Sequence, residues 1–194
     1  MSRPRCPRCL RPEGHCLCAL IPRLPSRTRL LILQHPSEAD HALNTARLAH
    51  LGLPNSELVV TERVEPALWD AHPGQACVLF PGEGSQTLRA VPEQAMQLIV
   101  LDGTWRKARK LLHLNPALAA LPRVSLAPAA PSRYRLRKAP APGALSTVEA
   151  IVQALEILEP DVSYQRLLRP FDALIEGQIA AMGEATYQRN HQGQ

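Results

Sequence analysis

Apolar residues in this chain fall into two patterns. Short unbroken runs, Leu30-Leu31-Ile32-Leu33, Leu58-Val59-Val60, Ala76-Cys77-Val78-Leu79-Phe80 and Leu98-Ile99-Val100-Leu101, are bounded by polar residues or proline and have the length of buried strands. They predict strands over 28–34, 57–62, 76–80 and 97–101, with another near 123–126. Between them, apolar residues three or four apart predict helices over 41–52, ending near Gly52, over about 104–114, and over 146–158. A last long amphipathic helix, 161 to about 188, carries Leu167, Leu168, Phe171, Leu174, Ile175 and Ile179 on its apolar side. Strands alternating with helices make an α/β fold, a mainly parallel sheet covered by helices on both faces. Residues 127–143, dense in proline and base, predict an ordered loop, and the tail from Asn190 a frayed end.

Length and composition add bounds. With 194 residues and 45% hydrophobic content the chain can bury one good core, so the expected division is a small unit over 1–24 and one main domain over 25–194. No apolar run approaches the roughly 18 residues of a membrane span. Met1-Ser-Arg-Pro-Arg-Cys lacks the apolar centre of a signal peptide. The expectation is a protein of the reducing cytoplasm, not of a membrane.

The net charge of +5 is modest but unevenly placed: residues 1–37 hold arginines 3, 5, 8, 11, 23, 27 and 29 against the single acid Glu13. Of the 22 basic residues, three are lysine (107, 110 and 138) and the rest arginine, whose planar fork of donors suits phosphate. Nucleic acid is the partner this distribution favours, with a solvated basic tail as the plain alternative.

Four of the five cysteines are Cys6, Cys9, Cys16 and Cys18, in the pattern C-x2-C-x6-C-x-C. Two closely spaced pairs can bring four soft ligands to one tetrahedral zinc from two tight turns, with His15 as the substitute for Cys16. Disulfides are disfavoured by the compartment, and a redox pair by the lack of a surrounding βαβ pattern. Four protein ligands leave no open position, so such a zinc is structural, and it would hold the nearby arginines in a fixed array. Cys77, inside an apolar run, reads as core.

Candidate chemistry gathers in three turns, 81–85, 102–105 and 145–150, each at the end of a predicted strand or the start of a helix. In an α/β sheet the carboxyl ends of parallel strands share one edge, so these turns can converge on one crevice. Each has a bland reading. Ser146 with Glu149 matches a helix capping box. Gly82 and Gly84 can simply reverse the chain, and neither a GxGxxG nor a Walker pattern accompanies them. Thr104 can be an N-cap and Trp105 a core aromatic. Asp102 resists best, because a carboxylate directly after four apolar residues is costly to desolvate unless paired or used. Beyond it lie Arg106, Lys107 and Lys110, and the loop adds Arg133, Arg135, Arg137 and Lys138 around Tyr134, a mixture suited to phosphate contact and base stacking.

Asp102-Gly103-Thr104-Trp105 matches a D-x-T-W signature, and the chain resembles the DTW-domain proteins, which are tRNA-uridine aminocarboxypropyltransferases. His35-Pro36-x-Glu38, Asn44-Thr45, Ser132-x-Tyr134-x-x-Arg137, Ser146-Thr147-x-Glu149-Ala150 and the cysteine spacing match in the same order, from residue 6 to 150. The resemblance implies a SPOUT-like, knotted α/β fold. It also implies transfer of the 3-amino-3-carboxypropyl group of S-adenosylmethionine to N3 of a tRNA uridine, releasing methylthioadenosine. By resemblance the donor lies against Leu79, Phe80, Pro81, Gly82, Glu83 and Ser85, against Leu101 and Gly103, and against Tyr134, Leu145, Ser146, Thr147 and Glu149. Asp102, Thr104 and Trp105 become the catalytic candidates, with Asp102 as general base and Trp105 walling the donor or stacking on uracil. The basic residues named above become tRNA contacts. The expected target uridine lies in the variable loop, with the D-loop as the alternative, and the oligomeric state is open. The competing readings are a non-catalytic zinc-containing RNA-binding module and a SPOUT RNA methyltransferase.

Overall fold

The unbroken apolar runs become the central strands of a sheet because both of their faces are covered. The computed structural model describes residues 4–90, 96–127, 132–136 and 144–191. Its strands are β1 (Arg29–Gln34), β2 (Ser56–Val60), β3 (Gln75–Leu79), β4 (Gln86–Thr87), β5 (Met96–Asp102) and β6 (Arg123–Ser125). They form one sheet in the order β2-β1-β5-β3-β6-β4, and every pairing is parallel. The helices are α1 (Ala46–Gly52), α2 (Ala67–Asp70), α3 (Trp105–Leu114), α4 (Pro116–Ala119), α5 (Thr147–Leu158), α6 (Leu168–Met182) and α7 (Glu184–His191).

Successive residues of the central strands point to opposite cores. Leu30, Ile32, Leu98, Val100 and Cys77 pack with α1, α5 and α6 through Ala49, Ile151, Leu155 and Phe171. Leu31, Leu33, Ile99 and Val78 pack on the other face with Trp69, Ala108, Leu112 and Leu118. Leu30 to Leu33 are fully buried, and at roughly 1.5–3 kcal/mol per buried aliphatic side chain this strand alone outweighs any exposed ion pair in the molecule. Burial pushes the Cys77 thiol up to about 11, as expected of an inert core cysteine.

The structure refines several element boundaries. The helix expected from residue 41 begins at Ala46, because the Asn44 amide instead donates to the carbonyls of Glu38 and Ala39 and closes a loop. The strand expected over 57–62 runs over Ser56–Val60. The long C-terminal helix is two segments: a 3₁₀ turn over Gln165–Leu167 leads into α6, and Gly183 (φ 84°), which adopts a conformation open to glycine, separates α6 from α7. The short α2, α4 and β4 lack the periodicity that would announce them. Among the described residues no helix is long and apolar enough to cross a membrane.

The N-terminal segment folds as a knuckle. Cys6 N–H donates to the Arg11 carbonyl and Leu10 N–H to the Cys6 carbonyl, with Leu10 at φ 59° closing the turn. The knuckle docks through Leu17, which packs with Leu48 and Leu174.

Candidate active site and metal centre

Register sets the site. β1 and β5 pair so that Gln34 stands opposite Asp102, and β3 places Leu79 opposite Val100. The carboxyl ends of three neighbouring strands therefore meet at one edge, where an α/β sheet opens its crevice. β5 ends at Asp102 because the next residue, Gly103, has φ 153°. A Cβ there would lie 3.1 Å from Lys107 Cβ, so glycine alone fits the tight entry into α3.

Asp102 is buried, 7% exposed, and both of its oxygens are engaged. Gln34 Nε2 donates to Oδ2 at 2.7 Å, and Thr147 Oγ1 donates to Oδ1. Two donors hold it as an acceptor. Gln34 Oε1, in turn, is buried without a hydrogen-bond partner among the described residues, so the amide is oriented for the sake of the carboxylate. Thr104 is exposed, and its hydroxyl accepts from Lys107 N–H at 3.3 Å, the N-cap of α3. Trp105 is half-buried and lies 5.4 Å from Phe80, ring centre to ring centre at 55°, which ties the 102–105 turn to the end of β3. Pro81, Gly82 and Glu83 are exposed, and Ser85 closes their turn by donating its hydroxyl to the Gly82 carbonyl at 2.8 Å.

The third turn divides its hydroxyls. Ser146 forms the capping box with Glu149, and both are buried. Glu149 does more than cap: Oε1 accepts from Arg133 N–H at 2.7 Å, and Oε2 from the Ser132 hydroxyl at 2.7 Å and from Ser146. Its carboxylate is thus filled by the chain itself, and it clamps the basic loop to the start of α5. Thr147, one residue on, is left to reach Asp102, while Leu145 lies half-buried before them. Tyr134 meets Phe171 edge-on at 5.6 Å, anchoring the loop from the other side.

The basic residues are mostly paired. Lys107 Nζ bonds Glu38 at 2.6 Å and Lys110 Nζ bonds Glu62 at 2.7 Å, while His35 Nε2 reaches the same Glu62 oxygen at 2.7 Å. The hydrogen bond from Lys110 outweighs burial in holding the Glu62 carboxyl below its ordinary range. Arg133 pairs with Asp172 at 3.2 Å, and Arg135 pairs with Glu176, both on α6. Arg106 is exposed, with no such partner among the described residues. Arg137 and Lys138 lie outside the described residues. Gln34 and Glu62 were not legible as site residues. Gln34 shares with Asp102 the signal of a polar side chain directly after an apolar run, whereas Glu62, one residue beyond Thr61, has none.

The four N-terminal cysteines converge. Cys6 and Cys18 sulfurs are 3.6 Å apart, Cys9 and Cys16 sulfurs 3.8 Å, and all four lie within 4.8 Å of one another. Sulfurs each about 2.3 Å from the centre of a tetrahedron stand roughly 3.8 Å apart, so the cluster has the dimensions of a four-cysteine zinc site. None of the four is in a disulfide, and His15 is not needed as a ligand. The backbone N–H of Cys9, then that of Arg8, pulls the Cys6 thiol down to about 6. Burial foremost, and then the neighbouring sulfurs, push Cys18 up to about 12. Four sulfurs this close cannot all be thiolates without a cation among them, and a divalent metal would supply it.

A family model for the DTW domain matches residues 3–179. A protein from Macaca fascicularis named tRNA-uridine aminocarboxypropyltransferase 2 is 32% identical over 203 aligned positions, covering 97% of this chain and 68% of the relative. One of the same name from Drosophila melanogaster is 33% identical, covering 91% of this chain and 76% of the relative. A tRNA-uridine aminocarboxypropyltransferase A from Arabidopsis thaliana is 29% identical over 80% of this chain and 73% of the relative. No solved structure matches the chain.

Proposed function

The chain belongs to the DTW-domain family, and on that premise we propose that it is a tRNA-modifying transferase. It moves the 3-amino-3-carboxypropyl group of S-adenosylmethionine onto N3 of a uridine. The observation that carries this reading is the junction at the sheet edge, where Asp102, held by Gln34 and Thr147, stands beside the Trp105–Phe80 pair.

The sulfonium of the donor activates three carbons, so selecting the γ-carbon is a matter of orientation. Trp105 and Phe80 offer the aromatic wall for that orientation, and Thr147 and Gln34 hold Asp102 in one rotamer facing the crevice. Asp102, as a carboxylate, accepts the N3 proton as N3 forms its bond to the γ-carbon. The carbon–sulfur bond breaks with its electron pair going to sulfur, and neutral methylthioadenosine leaves. Arg106, Arg133 and Arg135 face tRNA phosphates. The exposed pairs that Arg133 and Arg135 make with α6 are worth at most about 1 kcal/mol each, so a phosphate can replace Asp172 or Glu176 at little cost. Cys6, Cys9, Cys16 and Cys18 would hold zinc as a structural ion in a reducing cytoplasm. The same proposal includes a SPOUT-like relation, supported by the meeting of the 102–105 turn with the start of α5.

Incubation with tRNA and S-adenosylmethionine, followed by mass spectrometry of nucleosides and of the spent donor, tests this. Aminocarboxypropyluridine with methylthioadenosine is expected. Adenosylhomocysteine with a methylated nucleoside would instead make the protein a methyltransferase. Binding of tRNA with no affinity for the donor would make it a non-catalytic RNA-binding module.

A further inference from the structure

Away from the sheet edge, a groove of about 380 Å³ lies between the cysteine knuckle, the connection 39–48 and α6. Its floor is the apolar contact of Leu17, Leu48 and Leu174. On α6 the groove is bordered by Ala173, Gly177 and Ala181, one helix face of small residues, and a Cβ added at Gly177 would meet nothing within 4 Å. The charged lining is three cations, Arg5, Arg11 and Arg47, against Asp40, with His15, His41 and Asn44 beside them.

These cations are not equivalent. Arg11 is structural, donating from Nη1 to the Ala42 carbonyl at 2.7 Å and from Nε to the His15 carbonyl at 3.2 Å, which fastens the knuckle to the 39–48 connection. Arg5 reaches Asp40 at 3.5 Å, an exposed and weak pair. Arg47 is different. Its backbone N–H is held by Asn44 Oδ1, while its Nε is buried with no hydrogen-bond partner, and its guanidinium makes no hydrogen bond or ion pair among the described residues. A guanidinium whose buried donor has no acceptor, facing a groove lined by other cations, is destabilising alone and becomes favourable when an anion enters.

We propose that this groove binds a backbone phosphate of the RNA substrate, apart from the transfer centre, with Arg47 as its principal contact. The inference rests on the reading of the chain as a tRNA-modifying enzyme. Residues 35–47 link the two places: His35 N–H bonds the Asp102 carbonyl at one end, and Asn44 and Arg47 stand at the other. Thirteen residues span at most about 45 Å even when fully extended. One tRNA helix can therefore touch both, and the groove extends the footprint so that a structured RNA is distinguished from a short single strand.

The test compares the zinc-loaded full chain with Arg47→Gln, Arg47→Lys and the charge-matched control Arg166→Gln, whose side chain is exposed and outside the groove. Affinity for tRNA is measured as a function of salt, and affinity for S-adenosylmethionine serves as the check on folding. Arg47→Gln is expected to weaken tRNA binding about three- to tenfold and to lower the salt slope by about one. Arg47→Lys should recover part of the loss, with donor affinity unchanged. An unchanged affinity and slope for Arg47→Gln, or an equal loss with Arg166→Gln, would overturn the groove while leaving the transfer reading intact. A chain that binds tRNA in this Arg47-dependent way but forms no modified nucleoside would overturn the transfer reading alone.

Discussion

Thr147 Oγ1 donates a hydrogen bond to Asp102 Oδ1 across 45 residues of sequence, joining the start of α5 to the end of β5. A bond to an ionised partner is worth roughly 1.5–3 kcal/mol. Thr147→Val keeps the shape and removes the donor, and it should lower kcat/KM for tRNA about ten- to a hundredfold, while Thr147→Ser keeps most of the activity. Steady-state kinetics on the three proteins decides it, and a fully active valine variant would remove this bond from the site.

Asp102→Asn preserves the bulk and removes the proton acceptor. Transfer should fall by about 10²- to 10⁴-fold, the usual range for a general base, with donor affinity retained by calorimetry. Full transfer at normal donor affinity would show that another group takes the N3 proton.

The sulfur cluster should carry one zinc ion. Cys9, 5% exposed, is the most enclosed of the four ligands, and Cys9→Ser should abolish bound zinc in elemental analysis. Because structural zinc supplies about 10–16 kcal/mol in small peptides, its loss, or chelation of the wild type, should lower Tm by several degrees and weaken tRNA binding. A wild type purified with no metal and indifferent to chelators would contradict this.

Glu149 holds three partners from two segments, Ser132, Arg133 and Ser146. Glu149→Gln offers a donor where only acceptors fit, and should cost about 2–3 kcal/mol in urea denaturation. It should also weaken tRNA binding by releasing residues 132–136. An unchanged urea midpoint would mean that the clamp contributes nothing to the folded state.

Glu159 gives stability a pH dependence. Burial raises its carboxyl, but N–H donors from Thr28 and Arg27 and the Tyr164 hydroxyl outweigh burial and hold it below the ordinary value. A group depressed in the folded state contributes stability above its ordinary value, and that contribution is lost as pH falls through the folded one. Thermal melts from neutral to acid pH should therefore show a steep acid limb that Glu159→Gln flattens. Parallel curves for the two proteins would place the acid sensitivity elsewhere.

What the sequence by itself determined is local. Apolar runs buried on both faces predict parallel central strands, and the strands form where those runs lie. The spacing of Cys6, Cys9, Cys16 and Cys18 predicts a tetrahedral cluster, and Ser146-x-x-Glu149 predicts the capping box, because turns and helix starts are settled by neighbours a few residues apart. Whether Ser146, Glu149 and Thr104 were caps or ligand contacts was open, since one residue pattern serves both. Only the tertiary structure decided that Ser146 and Thr104 cap while Thr147 turns to Asp102. It also decided that Gln34 stands opposite Asp102, 68 residues away, and that Lys107, Lys110, Arg133 and Arg135 meet acids rather than open solvent. Such pairings depend on strand order and on which helix packs where, and these follow from burying the whole core at once, a quantity no local window of residues contains.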